Sequence, residues 1–184
     1  MDMASCNYAA FVGGPCGSSL DSPANCQCIT IDNCSKDIKS HIKSFGAGFA
    51  DSTLKTEAEL LLSRAGIFDI NESHLKMSVC PRHRDAFGIR WRCNKRLCTS
   101  PSDWAPHQTK QMKGDRAITL LQSKLLYNMT LTLVPVGSPI CKQCRLKLGT
   151  TLPCTMRLEE DEKTEDISSF SRNESTESET QEMR

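Results

Sequence analysis

Two short segments of the sequence resemble one another and carry four residues that can bind a metal ion. The first is CPRHRDAFG, residues 80–88, and the second is CKQCRLKLG, residues 141–149. Both place a Cys or His three positions after a Cys. A turn of this kind lets two side chains reach one ion, and structural zinc takes four such ligands in a tetrahedron. We therefore predict one zinc site made by Cys80, His83, Cys141 and Cys144.

Charge near these segments supports a bound metal ion. Three thiolates with one Zn²⁺ leave a cluster of charge about −1. Arg84 and Arg145 directly follow the second ligand of each pair, where they can donate hydrogen bonds to the sulfur atoms. The 57 residues between the two pairs are acceptable if strands and a helix fold between them.

Three further residues, Cys93, Cys98 and His107, form a possible second metal site. They would need a fourth ligand, either Cys154 or a cysteine from the N-terminal region. Alternatively, Cys98 and His107 complete the first site and release one of its four ligands. In the N-terminal region Cys26, Cys28 and Cys34 could also hold a second metal ion. The spacing of the cysteines there, at 6, 16, 26, 28 and 34, is not specific, which favours thiols without a ligand role.

The elements that must position these ligands are short. Apolar residues at helical spacing predict helices over 36–45 and 53–65, and a third over 116–128. Short apolar runs predict strands at 67–70, 88–91 and 131–134. The fold class expected is α+β: a small zinc-stabilised domain with short strands and two to three helices, flanked by disordered termini.

Composition divides the chain into three regions. Residues 1–75 have a net charge of −4, residues 76–149 of +11 and residues 150–184 of −6, within a total of +1. We predict an irregular Cys-rich arm over 1–35 and a zinc-binding domain over 36–154, with its metal core at 77–149. A disordered acidic tail rich in Ser and Glu follows over 155–184.

The sequence offers little for catalysis. The basic region has only three carboxylates, at Asp85, Asp103 and Asp115, and it contains no His-Glu-x-x-His motif. The zinc-deaminase pattern, His-x-Glu with Pro-Cys-x-x-Cys, is also missing. No glycine-rich phosphate loop occurs, and no small-molecule substrate is evident. We therefore expect a binding protein and not an enzyme.

The basic region favours nucleic acid as the partner. Arg90, Trp91 and Arg92 place an aromatic ring between two cations, and Lys95 and Arg96 follow closely. The alternative is a protein-interaction adaptor held together by zinc, with the acidic tail recruiting a basic partner or masking the basic surface.

The cysteine content, with no apolar run long enough for a membrane span, favours the nucleus or cytoplasm. A secreted, disulfide-bonded and glycosylated protein is a further alternative, because Asn71, Asn128 and Asn173 begin Asn-x-Ser/Thr triplets.

Overall fold

A computed structural model describes residues 6–19, 24, 26–45, 53–93 and 96–151. The helices are α1 (Ala9–Val12), α2 (Lys39–Lys43), α3 (Glu57–Arg64), α4 (Glu72–Leu75), α5 (Pro81–Phe87), α6 (Leu120–Thr130) and α7 (Lys142–Thr151), with a 3-10 helix at Ile31–Asn33. The strands are β1 (Ile29–Thr30), β2 (Ser78–Val79), β3 (Arg116–Ala117) and β4 (Pro139–Ile140). The α+β class is therefore confirmed, but these ranges hold more helices than the two to three predicted.

Each strand has a single antiparallel partner. Ile29 of β1 lies opposite Val79 of β2, and Arg116 of β3 lies opposite Ile140 of β4. Two-residue strands in two-stranded sheets are only marginally stable by themselves. Other interactions must therefore hold each pair of strands in place.

The same order of elements occurs twice in the chain. In both copies a strand precedes a helix with a capping box, α3 or α6, and a partner strand, a cysteine and a final helix come later. The first copy has three further elements between its strands, namely the 3-10 helix, α2 and α4. Thr56 caps α3 and Thr119 caps α6, and they precede Cys80 and Cys141 by 24 and 22 residues. We call residues 6–88 the first repeat and residues 98–151 the second repeat.

Three apolar clusters lie inside these repeats. The first surrounds Tyr8 and Leu61, and the second surrounds Ile118 and Leu126. The third joins residues of both repeats: Ile38, Leu54, Leu60 and Val136. The two repeats therefore share part of their buried surface, which favours a single folding unit.

The first 35 residues do not form a separate arm in the part that the structure describes. Tyr8 is fully buried, and its hydroxyl donates a hydrogen bond of 2.7 Å to the Leu61 carbonyl. Strand β1 pairs with β2, far along the chain. The predicted boundary at residue 35 thus crosses the first repeat. The predicted tail, 155–184, lies outside the described residues.

Several predicted elements differ from the structure in extent or type. Residues 88–91 form a turn after α5, where the Trp91 N–H donates to the Gly88 carbonyl. Residues 67–70 and 131–134 contain no strand. Leu131 ends α6 in the left-handed conformation, with φ of 54°. The chain therefore turns sharply at the point where the pattern predicted an extended segment.

No helix in the described ranges is long and apolar enough to cross a bilayer.

A buried histidine lies between two arginines near the contact of the repeats. The ring nitrogens of His41 lie 3.1 Å from Arg64 Nη2 and 3.1 Å from Arg92 Nη1. Burial, together with these two cations, lowers the pKa of His41 to about 4. The folded protein therefore keeps this ring neutral at pH values where an exposed histidine takes up a proton.

We predict that His41 makes stability fall as the pH is lowered. The unfolded chain protonates this ring near its ordinary pKa of about 6.5, so between there and the folded pKa the unfolded state binds more protons. The contribution is complete above about pH 6.5, and up to about 3 kcal/mol is lost on approaching pH 4. Urea unfolding of the wild type and of His41→Gln across this range tests it. Parallel pH profiles would contradict it, and comparing the two proteins cancels the titration of other groups.

Candidate metal centres

The structure places the four predicted ligands in two separate groups and not in one. The first metal group contains Cys6, Cys16, Cys80 and His83, and the second contains Cys98, His107, Cys141 and Cys144. Within each group the candidate ligand atoms lie within 4.8 Å of one another. Each group has three cysteines and one histidine. The prediction that Cys80 and His83 share an ion with Cys141 and Cys144 is replaced by this arrangement.

Three sulfur atoms converge on one nitrogen in the first metal group. His83 Nδ1 lies 3.2 Å from Cys80 Sγ, 3.3 Å from Cys6 Sγ and 3.9 Å from Cys16 Sγ. The sulfurs of Cys6 and Cys16 are 3.6 Å apart. One unprotonated ring nitrogen offers one lone pair, so it cannot accept a hydrogen bond from three thiols. A cation held between these four atoms would account for the convergence.

These distances fit a tetrahedral ion. With sulfur at ~2.3 Å and nitrogen at ~2.0–2.1 Å from the metal, tetrahedral angles give ~3.8 Å between sulfurs and ~3.6 Å from sulfur to nitrogen. The separations of 3.2–3.9 Å from His83 Nδ1 to the three sulfurs lie on both sides of that value. An ion can therefore enter with shifts of a few tenths of an ångström.

The backbone fixes the ring of His83 in the orientation that a ligand needs. Nε2 lies 3.1 Å from the Gly13 carbonyl oxygen, to which it can donate its hydrogen. That tautomer leaves the lone pair of Nδ1 directed at the sulfurs. A hydrogen bond from the far nitrogen to a carbonyl is the usual support of a metal-bound histidine.

The second metal group contains a histidine without a hydrogen-bond partner. Both ring nitrogens of His107 are buried and unpaired within the described residues. Leaving buried polar atoms unpaired costs free energy. The Cys141 N–H points at Cys98 Sγ at 3.3 Å, and the Cys144 N–H lies 3.5 Å from Cys141 Sγ. Backbone donors on the sulfurs and an unpaired imidazole beside them are together typical of a metal site.

Burial raises the pKa of one thiol in each metal group, Cys6 and Cys144, and so disfavours their ionisation without a cation. The pKa of Cys6 rises to about 11 and that of Cys144 to about 12. Burial acts in the same direction on Cys98, but hydrogen bonds from Ser100 and the Cys141 backbone lower its pKa to about 6. Bringing three thiolates together in the interior therefore requires a positive ion.

In both metal groups, the two ligands that come last in the chain are held by the same local structure. Cys80 follows β2 and occupies the N-cap position of α5, whose first residue is Pro81. Cys141 follows β4 and directly precedes α7. Because the next ligand is three positions later, at His83 or Cys144, it lies in the first helical turn, on the same side as the cysteine. The resemblance of the two sequence segments reflects this repeated strand–cysteine–helix unit.

The other half of the first metal group, Cys6 and Cys16, was not predicted from the sequence. Cys6 and Cys16 were assigned no ligand role, yet the Cys6 backbone N–H lies 3.2 Å from Cys16 Sγ and Cys6 is buried. One signal was available, because nine residues separate these cysteines and eight separate Cys98 from His107. Cys93, predicted with the second site, belongs to neither group among the described residues.

The predicted nucleic-acid contacts are partly used inside the protein. Arg90 lies 3.5 Å from Asp85, and Arg64 covers the ring of Trp91 at 4.1 Å. Arg92 donates to the carbonyls of Ile89 and Trp91. Arg96 is exposed, and Lys95 lies outside the described residues.

Comparisons with known proteins identify no relative. No family model matches the sequence, and no curated protein or solved structure is detectably similar to it.

Proposed function

We propose that this chain is a non-catalytic nucleic-acid-binding module whose two repeats each hold one structural zinc ion. Each metal group supplies three sulfur donors and one imidazole nitrogen, a ligand set that zinc favours. Four protein donors complete a tetrahedron and leave no open position for a substrate or an activated water. This ligand count supports a structural role and not a hydrolytic one.

The residues around the second metal group fit a bound zinc ion. With three thiolates the cluster has a charge of about −1. Arg145 follows Cys144, and its Nε atom is buried and lacks a hydrogen-bond partner in the described part of the chain. The Arg145 guanidinium also lies 3.6 Å from Asp115, and it supplies a positive charge on the residue next to the ligand Cys144. The free cysteines required here suit a reducing compartment such as the nucleus or cytoplasm, and no disulfide joins cysteines in the described ranges.

One observation favours nucleic acid most directly, namely the surplus of exposed cations over exposed acids. Within 76–149, ten described Lys and Arg residues are exposed, against two exposed acids, Asp103 and Asp115. Fixed positive charge on a rigid frame attracts a phosphate backbone and releases its counterions. The charge surplus in the sequence is therefore also a surplus on the surface.

Part of this charge forms a continuous edge, which we call the basic rim: Arg96, Lys113 and Arg116. Leu97 pairs with Lys113 in a β-bridge, and the Gly114 N–H donates to the Arg96 carbonyl at 2.9 Å. Gly114 also packs against Pro139, since a Cβ there would lie 2.4 Å from the proline Cβ. The rim residues are thus held on backbone that is paired and closely packed.

Affinity for nucleic acid is predicted to depend on the basic rim and to fall steeply with salt. Changing Arg96, Lys113 and Arg116 together to Gln removes three phosphate contacts. The slope of log affinity against log salt should then decrease by about 2–3, given a slope of about 0.9 per contact on duplex DNA. Fluorescence anisotropy with a labelled 20-base-pair duplex and a labelled 20-nucleotide single strand measures it.

A matched control changes three exposed lysines of the first repeat, Lys39, Lys55 and Lys76, to Gln. It removes the same charge away from the rim and should leave the slope within about 1 of the wild type. Wild-type binding that does not respond to salt would contradict the proposed function. Equal slopes for the two triple variants would show that binding depends on the total charge of the protein and not on the position of the basic rim.

A protein partner is the second candidate, because apolar side chains are exposed on and after α6. Leu131 is 81% exposed, and Met129 and Leu121 are also on the surface. Exposed apolar groups that lie close together mark interaction surfaces more often than single ones do. A failure to bind either nucleic-acid probe would favour this candidate.

A further inference from the structure

A groove of about 280 Å³ opens where the first and second repeats meet. We call it the junction groove. Ser44 and Phe45, which follow α2, line the groove together with Arg92, Arg116 and Gly137. Pockets for complete drug-sized ligands usually measure about 300–1,000 Å³. A groove just below that range suits a phosphate group with its sugar better than a complete nucleotide.

The lining of the junction groove has an excess of positive charge. Two arginines, Arg92 and Arg116, line it together with one acidic residue, Asp115. That carboxylate lies 3.6 Å from Arg145 and is partly neutralised by it. The remaining charge favours an anionic ligand, and paired arginines suit phosphate oxygens because each can donate two parallel hydrogen bonds.

Arg92 is held in position before any ligand arrives. Its Nη1 atom donates to the Ile89 carbonyl at 2.8 Å and to the Trp91 carbonyl at 2.9 Å, and it contacts His41. These contacts fix the plane of the guanidinium, whose other edge carries the N–H donors of Nε and Nη2. A prepositioned donor loses less conformational entropy when it binds a ligand.

A buried cation behind the groove adds to the positive field. Arg64 is 1% exposed, and its hydrogen bonds go to three carbonyl oxygens and to His41, all of them neutral groups. Within the described residues no carboxylate forms an ion pair with it. Its guanidinium lies 5.8 Å from the Phe45 ring that lines the groove. In the low-dielectric interior such a charge is weakly screened.

We propose that the junction groove binds one phosphate group of a nucleic-acid backbone, with Arg92 and Arg116 as its donors and Phe45 as an apolar wall for the adjoining sugar. This inference rests on the proposed nucleic-acid function and assigns a specific position to one contact. The basic rim shares Arg116 with the groove, so a bound strand would pass from the rim into the junction between the repeats.

The experiment measures binding of a fluorescein-labelled 20-nucleotide oligothymidine to the full zinc-loaded chain. The test variant is Arg116→Gln, because the β3 pairing uses its backbone and its side chain is exposed. We expect at least a fivefold loss of affinity and a decrease of about 0.7 in the salt slope for a single strand. The control, Lys110→Gln, removes an exposed charge outside the groove and should change affinity less than twofold.

A second arm titrates inorganic phosphate into the ¹⁵N-labelled protein and follows the arginine side-chain signals by NMR. Saturable shifts at Arg92 and Arg116, competed by the oligonucleotide, support the groove as the place of contact. Shifts with phosphate but no binding of oligonucleotide would overturn a nucleic-acid source for the ligand.

The outcomes separate this inference from the proposed function. If the wild type binds the oligonucleotide with a steep salt slope but Arg116→Gln behaves like Lys110→Gln, the groove assignment is wrong and Arg116 makes no rim contact either. The proposed function then stands on the wild-type salt slope and on Arg96 and Lys113 of the basic rim. If the wild type does not bind at all, both fail. Signals of Arg92 and Arg116 that do not shift with either ligand also overturn the groove assignment, whatever the affinity of the variants.

Discussion

The full chain is expected to carry two zinc ions, and each is expected to be lost separately. Cys80→Ser removes a donor from the first metal group and should leave one ion, held by the second. Cys141→Ser should leave the ion of the first group. Three remaining donors bind zinc far more weakly than four, because structural sites of this kind gain about 10–16 kcal/mol from the complete set. Native mass spectrometry under reducing conditions counts the ions directly.

The control variants for this prediction are Cys26→Ser and Cys93→Ser, since both cysteines lie outside the two metal groups. Each should retain two ions. A single site joining the two sequence segments makes a different prediction: one ion in the wild type, and none after either Cys80→Ser or Cys141→Ser. A wild type that is well folded with no zinc would reject both arrangements.

A cobalt titration counts the ions independently of native mass spectrometry. Co²⁺ can replace zinc, and its absorption bands report the number of thiolate ligands. The wild type should titrate to two equivalents with three sulfur donors each. Either cysteine variant should show one equivalent of the same spectrum.

The resemblance between residues 80–88 and 141–149 identified two segments that both contribute to groups able to hold a metal ion, but it did not predict how they pair. A Cys-x-x-His turn supplies two ligands, and four donors are needed, so joining the two turns was the simplest solution. The structure shows that each turn has its own complement, Cys6 with Cys16 or Cys98 with His107. A sequence pattern identifies half-sites, and only the path of the chain decides which halves meet.

The elements were predictable to different degrees for a physical reason. Helix α3 has an apolar face and a Thr-x-x-Glu capping box, both of which are visible in the sequence, and it was found although its start was placed too early. The four strands are two residues long and show no alternation. Their positions follow from pairing with distant residues, which local pattern cannot reveal.

The two repeats differ in what they contribute to the proposed binding surface. Both have the same strand–cysteine–helix unit, yet most of the exposed positive charge lies in and just before the second, including the basic rim of Arg96, Lys113 and Arg116. The first repeat contributes Phe45 to the junction groove and supplies Arg64, which reaches a carbonyl of the second. Under the proposal a metal ion holds each strand pair and its following helix locally, while Arg64 and the third apolar cluster connect the repeats to one another.

Replacing Arg64 with Met is expected to cost about 3–5 kcal/mol of unfolding free energy, because the Phe87 and Val136 carbonyl oxygens would lose their donor. The Gly88 carbonyl would keep only its bond from the Trp91 N–H. Nη1 donates to the carbonyls of Phe87 at 2.9 Å and Gly88 at 2.8 Å, and Nε donates to that of Val136 at 3.1 Å. Two of these acceptors belong to the first repeat and one to the segment before β4, so the side chain connects both.

A counter-effect limits the size of this loss. Burial lowers the pKa of Arg64 to about 9, which shows that holding the cation inside is itself unfavourable. Met has a similar length and removes that desolvation cost. Buried ion pairs replaced by apolar residues are sometimes neutral for this reason. Here the acceptors are backbone carbonyls that remain buried after the substitution, so we expect the unpaired carbonyls to dominate.

Urea unfolding of the zinc-loaded protein tests the balance between these effects. Arg64→Lys keeps the charge but cannot reproduce the planar fork of donors, so its stability should lie between those of the wild type and Arg64→Met. Lys39→Met changes a side chain that is 85% exposed and should shift stability by less than about 0.5 kcal/mol. If Arg64→Met were as stable as the wild type, the repeats would be joined by apolar packing alone. The buried cation would then be retained for the field that it projects into the junction groove.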